Sequence, residues 1–291
     1  MPIILHEEII STNGVQLHLM QAGPEDGPLV ILLHGFPEFW FGWREQIHPL
    51  AEAGFRVWAP DQRGYHLSDK PQGVSAYHID ILARDIVGLI DAAGEEKAIV
   101  VGHDWGAAVA WYLADHYPER VTKLVVMNVP HPAVMMRTLR KSFSQLRKSW
   151  YMFFFQIPRL PEWFLGKNNA QGAAELLRRS GKSSTFKPED LAYYREAWTQ
   201  PGALTGMINW YRSAIRSGFK GPAGSPPTTS RITAPTLMIW GKRDVALSHE
   251  MAQPSIDLCQ DGRLVFFDQA THWVQHDEAE AVNQLLLDFL Q

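Results

Sequence analysis

The chain has 291 residues, a formal net charge of −4, 46% hydrophobic and 20% charged residues, the balance of an ordinary soluble globular protein rather than a disordered or membrane-embedded one. No polyanion partner follows from so small a charge, and the single cysteine, Cys259, excludes a disulfide framework and suits a reducing cytoplasm. The length admits one large α/β domain with an insertion, or two ordinary domains. Met1 to Ile10 contains His6, Glu7 and Glu8 and lacks the basic start and apolar run of a signal peptide. No window approaches the roughly 18 uninterrupted apolar residues of a membrane span. A cytoplasmic protein with no nucleic-acid or membrane partner, monomeric or homodimeric, is expected.

The first two strands, around Ile4 to Ile10 and Val15 to Met20, are joined by Asn13-Gly14, a strong hairpin signal, so the sheet begins antiparallel. Apolar, β-rich runs follow at Leu29 to Leu33, Phe55 to Ala59, Ile99 to Val101 and Leu124 to Met127, alternating with helical patterns. One helix is expected over Tyr77 to Ala93, apolar at 79, 82, 83, 86, 87 and 90, and another over Trp105 to His116, ended by Pro118. Such alternation predicts βαβ units and a mostly parallel sheet.

After Pro130 the alternation stops for about a hundred residues of helical, aromatic, proline-punctuated sequence, and resumes at Pro235 to Trp240 and Leu264 to Phe267 before a closing helix near Ala279 to Leu290. The middle is read as an insertion, 131–220, in a core made of 1–130 and 221–291, with Val129-Pro130-His131-Pro132 and Gly221 to Ser230 as linkers. Within it Arg137, Arg140, Lys141, Arg147 and Lys148, interleaved with Leu139, Phe143 and Leu146, read as the solvated face of an amphipathic helix.

Gly102-His103-Asp104-Trp105-Gly106 follows a strand and opens a helix, the setting of a nucleophile elbow with Asp in the place of Ser. The flanking glycines admit the tight turn and the close approach of strand and helix. An acid and then a histidine are required later in the chain. Asp244 follows the strand Pro235 to Trp240 and His272 follows Leu264 to Phe267, each just beyond a strand's carboxyl end, whereas position 128 is Asn rather than a carboxylate. His34-Gly35-Phe36-Pro37 follows Leu29 to Leu33, where a second oxyanion donor belongs, so the backbone N–H groups of Phe36 and Trp105 are assigned to an oxyanion hole; Pro37 has none to give. His34 itself is expected to be structural. His272 and His276 stand at helical spacing, but a catalytic zinc needs a third ligand, so no metal is expected and His276 is placed on the surface.

Aspartate restricts the chemistry. Serine attacking a saturated carbon would give an ether that activated water could not open, while aspartate gives an ester whose hydrolysis His272, oriented by Asp244, could promote. An epoxide or alkyl halide is the expected substrate, and no cofactor is needed.

The motifs HGFPE at 34–38 and GHDWG at 102–106, with Asp244 and His272, resemble the epoxide hydrolases of the α/β-hydrolase fold. Asp61-Gln62-Arg63-Gly64-Tyr65 and Tyr117-Pro118-Glu119-Arg120 extend the resemblance over nearly the whole chain. It implies that the insertion is a helical cap, and that the oxirane-binding tyrosines are Tyr151, before Phe155-Gln156, and Tyr211, in Asn209-Trp210-Tyr211-Arg212. A phenol can donate a hydrogen bond to the alkoxide of an opening epoxide at neutral pH. Tyr193 and Tyr194 match neither segment and are expected to pack. Phe36, Trp105, Trp150, Met152, Phe153 and Phe154 are expected to line an apolar substrate pocket. Two other readings stay open: a haloalkane or haloacetate dehalogenase using the same nucleophile, and a catalytically inactive ligand-binding relative.

Overall fold

A computed structural model describes residues 3–217 and 231–291. Its centre is an eight-stranded sheet in the order β1-β2-β4-β3-β5-β6-β7-β8. The strands are β1 (His6–Thr12), β2 (Val15–Ala22), β3 (Leu29–Leu33), β4 (Arg56–Pro60), β5 (Ala98–His103), β6 (Val121–Met127), β7 (Thr236–Gly241) and β8 (Gly262–Phe267). Only the pairings β1/β2 and β2/β4 are antiparallel. The β1–β2 hairpin turns at Asn13 and Gly14, both at positive φ, with Thr12 opposite Val15, as the Asn-Gly signal predicts.

Every residue of β3 and β5 is buried, because helices cover both faces of the sheet and such strands read as continuous apolar runs. On one face Ile31, Leu33, Trp58 and Val100 pack against α2 (Ile79–Ala92) and α3 (Trp105–His116) through Leu82, Ile86 and Trp111. On the other, Val30, Leu32, Val101 and Ile239 meet Ile47 and Leu50 of α1 (Arg44–Glu52) and Val282 and Leu286 of the closing helix, Ala279–Leu290. The chain leaves β3 toward β4 on one side and β5 toward β6 on the other. The crevice at the carboxyl ends of β3 and β5 is therefore the switch point where open α/β sheets collect ligands.

Among the described residues six helices lie between β6 and β7: α4 (Pro132–Lys141), α5 (Phe143–Lys148), α6 (Trp150–Phe154), α7 (Leu160–Ser180), α8 (Pro188–Thr199) and α9 (Ala203–Ser217). Residues Lys167 to Ala170 interrupt α7 with non-helical backbone. The expected linker Gly221 to Ser230 lies outside the described residues. After β7 come α10 (Ala252–Ile256), α11 (Val274–Asp277) and α12 (Ala279–Leu290). Among the described residues no helix is long and apolar enough to cross a membrane.

One sequence expectation fails in the insertion. The basic stretch from Arg137 to Lys148 is not one amphipathic helix but two, broken at Ser142, whose hydroxyl caps α5 by accepting from Gln145 N–H at 3.2 Å. Gln145 is buried while Phe143 and Leu146 are exposed.

Candidate active site

Asp104 follows β5 and stands at the N-cap of α3 with φ 49° and ψ −122°, a conformation that costs a side-chain-bearing residue about 1–3 kcal/mol and persists where surrounding structure enforces it. The enforcement comes from glycines. A Cβ on Gly106 would run into the Leu33 carbonyl, one on Gly102 into Gly106, and one on Gly35 into the Asp104 side chain. The carboxylate projects from the turn and its side chain is 14% exposed. Its Oδ1 accepts the Phe36 N–H at 2.7 Å. The Trp105 amide is the first of α3 and opens the same turn.

His272 stands between two carboxylates, with Nε2 3.4 Å from Asp104 Oδ2 and Nδ1 2.7 Å from Asp244 Oδ2. Ionised carboxylates only accept, so both ring nitrogens carry protons at rest. Burial alone would lower the pKa of His272, but Asp244 and Asp104 together raise it to about 10. Burial likewise opposes ionisation of Asp104 and Asp244, and His272 overcomes it in both, holding each below the ordinary carboxylate value.

The Asp244 carboxylate is fixed by three groups besides the histidine. Its Oδ1 accepts the backbone N–H groups of Ala246 (2.7 Å) and Leu247 (2.9 Å), and its Oδ2 accepts Asn128 Nδ2 at 2.9 Å. Asn128 also accepts the Gly241 N–H through Oδ1 at 3.1 Å, binding the end of β6 to the end of β7. Considered in sequence only as a failed acid, Asn128 turns out to orient the acid. Its available signal is position, since it follows the last residue of a parallel strand next to β7.

Tyr151 of α6 and Tyr211 of α9 face Asp104 across an open cavity with an empty volume of about 520 Å³, and their rings lie 5.8 Å apart. Burial, reinforced by the charge of Asp104, drives both phenol pKa values upward, so both stay protonated as donors. Their helices are tied together by buried Arg212, which donates from Nε to the Phe155 carbonyl (3.0 Å), from Nη2 to Ile157 (3.0 Å), and to both oxygens of Glu162. The core holds α9 through Trp210 Nε1, which donates to the Arg63 carbonyl at 2.9 Å, while Asp85 grips the Arg63 guanidinium with two 2.7 Å bonds. The segments around Tyr211 and Arg63 are thus one contact.

The rest of the cavity is largely apolar: Trp105, Ala108, Val129, Pro130, Pro132, Met135, Met152 and Leu247. Trp105 and Met152 match the expected lining; Trp150, Phe153, Phe154 and Phe36 do not. On α6 residues 151, 152 and 155 face inward, so helical periodicity turns Trp150 and Phe153 to the outside, where both are exposed. Phe154 packs on Phe155 and Phe164, and Phe36 packs edge-on against Tyr211 at 5.2 Å, supporting the phenol from behind. Met135 and Leu247 escaped sequence reading because their distance from the motifs along the chain hides their proximity in space.

His34 is structural, as expected: its Nε2 accepts the Gln62 N–H at 3.0 Å. His276 is not on the surface. Its side chain is buried and Nε2 donates to Glu38 Oε1 at 2.8 Å. Glu38 also accepts from Gln275 Nε2 (3.1 Å) and the Tyr194 hydroxyl. Burial would raise the Glu38 pKa, but His276, then His103 and Tyr194, bring it down to about 2. Tyr194 packs, as expected, and holds α8 to the core; Tyr193 is exposed and stacks on Phe41.

Residues 28–279 match the family model of the alpha/beta hydrolase fold. The AB hydrolase superfamily protein YfhM of Bacillus subtilis is 49% identical over 98% of this chain and 97% of its own. Epoxide hydrolase 1 of Caenorhabditis elegans is 40% identical, covering 97% of this chain and 69% of that protein. The crystal structure of Bacillus megaterium epoxide hydrolase in complex with an inhibitor superposes with a TM-score of 0.89 at 32% identity, over 97% of this chain and 99% of the other. An aspartate elbow, an acid and a histidine beyond the ends of β7 and β8, two phenols from the inserted helices and this set of relatives converge: the chain belongs to the epoxide hydrolases of the α/β-hydrolase fold.

Proposed function

We propose that the protein opens oxiranes to vicinal diols through a covalent ester on Asp104. The observation that carries this reading is the opposition of one carboxylate and two protonated phenols across an apolar cavity. Asp104 Oδ1 is occupied by the Phe36 amide, which leaves Oδ2 to attack the oxirane carbon. The C–O bond on the far side breaks, and the departing oxygen takes hydrogen bonds, then a proton, from Tyr151 and Tyr211. Donors placed where charge develops supply the main stabilisation of such a step.

Esterification removes the negative charge on Asp104 and with it one of the two anions that keep His272 protonated. The imidazolium can then pass its proton, by way of water, to the phenolate left by the tyrosine that protonated the oxirane oxygen, and as a neutral base take a proton from the water that attacks the Asp104 carbonyl carbon. The developing oxyanion forms at Oδ1, already beside the Phe36 N–H. Collapse expels the diol oxygen, which takes the proton of the attacking hydroxyl, and restores the carboxylate, with Asp244 stabilising the imidazolium. A halide leaving group needs no proton, so the paired phenols favour the epoxide over a dehalogenation reading.

Single turnover in heavy-oxygen water tests the covalent route. The label is expected in the Asp104 carboxylate, and diol formed without label there would exclude the ester. Parallel incubation with an alkyl halide should release no halide.

A further inference from the structure

The outside of the insertion departs from an ordinary solvated surface. Along α5, α6 and the turn after them, Phe143, Leu146, Trp150, Phe153 and Ile157 recur at intervals of three and four, and all are exposed, Phe143 by 79%, Trp150 by 61% and Phe153 by 56%. Trp163 and Phe164, in the first two turns of α7, are exposed as well. Phe154 bridges the two groups, its ring 6.0 Å from Trp150 and 6.1 Å from Phe164. Single exposed apolar side chains are commonplace, whereas a connected aromatic patch marks an interaction surface.

Charge identifies the partner. Residues 132–167 carry seven Lys or Arg and one acidic residue, Glu162, in a chain whose net charge is −4. Glu162 is already held by Arg212. Arg137, Arg140, Lys141, Arg147, Arg159 and Lys167 are exposed, and among the described residues none forms an ion pair. Lys167 lies over the Trp163 ring at 5.6 Å, so the basic and aromatic elements interleave. A second copy docked on this face by a twofold axis would bring two such basic surfaces together.

We propose that this face docks on an anionic bilayer surface, with Trp and Phe side chains at the headgroup boundary and the basic side chains on lipid phosphates. The inward sides of the same helices line the cavity, through Pro132 and Met135 on α4 and Tyr151 and Met152 on α6. Docking thus brings the roof of the cavity to the phase in which apolar molecules accumulate. The surface stands independently of the reaction proposed above, and departs from the expectation of a protein without a membrane partner.

Sedimentation with vesicles of phosphatidylcholine, alone or with about one third phosphatidylglycerol, tests it without reference to catalysis. The protein should sediment with the anionic vesicles only, and high salt should release it as screening shortens. Arg140→Gln and Arg147→Gln should each weaken partitioning about fivefold, and Phe143→Ser or Trp163→Ser about tenfold, with melting temperatures unchanged because all four side chains are exposed. Three results would overturn the proposal: no sedimentation with either vesicle, equal sedimentation with both at all salt concentrations, or a concentration-dependent dimer that Phe143→Ser abolishes without any vesicle binding.

Discussion

Replacing Asp104 with Asn isolates the electrostatic event on which the second half-reaction depends. The substitution keeps the size of the side chain and removes its charge, as ester formation does. At 3.4 Å from His272 Nε2, a carboxylate charge is worth about 5 kcal/mol at an effective dielectric constant of ~20. Since one pH unit corresponds to about 1.4 kcal/mol, the imidazolium should then titrate between about 6 and 7 rather than at about 10. In the proposed mechanism His272 therefore becomes available as a base at neutral pH only once Asp104 has reacted. Nitrogen-15 NMR of labelled histidines in the wild type and Asp104→Asn reads this directly. In the wild-type enzyme, single-turnover ester hydrolysis should rise with pH through that same interval. A His272 that titrates near 10 in both proteins would refute the reasoning, since Asp104 would then contribute nothing to its protonation.

Tyr151→Phe and Tyr211→Phe should each slow ester formation by about 10²-fold while leaving ester hydrolysis nearly unchanged; stopped-flow tryptophan fluorescence separates the steps, and equal slowing of both contradicts the role given to the phenols. Asn128→Ala leaves the Gly241 N–H unpaired in a buried position and removes a donor from Asp244, which should cost about 1–3 kcal/mol of stability in urea unfolding. It should also slow ester hydrolysis, and a loss confined to stability would make Asn128 a strand tie alone. Because the folded-state pKa of His272 lies above 6.5, its contribution to stability is complete below about pH 6.5 and is lost as pH rises through about 10. Asp104 and Asp244, held below 3.8, contribute above that pH and lose the contribution in acid. Calorimetry should show the alkaline decline flattened in Asp104→Asn, whereas parallel curves would place its origin elsewhere.

The strand–helix alternation was legible because burial on both faces writes β3 and β5 as unbroken apolar runs, and the elbow because its glycines answer a backbone demand local to five residues. Asp244 and His272 could be placed because each closes a recognisable strand. What the sequence hid depends on contacts between distant segments. Asn128 acquires its meaning only when β6 and β7 lie side by side. The facing of α6 depends on which side of it meets the core, so the run from Trp150 to Phe155 divides between surface, cavity and core in a way composition cannot reveal. His276, apparently free at helical spacing from His272, is buried against a carboxylate 238 residues away.

That carboxylate also accounts for how the two halves of the site keep their alignment. Glu38 is ionised and can only accept, so the Tyr194 hydroxyl, His276 Nε2 and Gln275 Nε2 all donate to it. The second proton of Gln275 Nε2 points to His103 Nδ1 at 3.2 Å, which requires Nδ1 to accept and leaves the His103 proton on Nε2, donated to the His272 carbonyl at 2.8 Å. A neutral His103 is what burial and the neighbouring His272 charge dictate, since together they lower its pKa to about 4. One chain of hydrogen bonds therefore runs from α8 of the inserted helices, through Glu38, to the loop that carries His272. Arg212 makes the matching connection on the other side, fixing Tyr151 and Tyr211 relative to each other while Trp210 fixes both to the sheet. The phenols and the imidazole sit on separate pieces of the fold, and these two buried polar assemblies hold them around a single carboxylate.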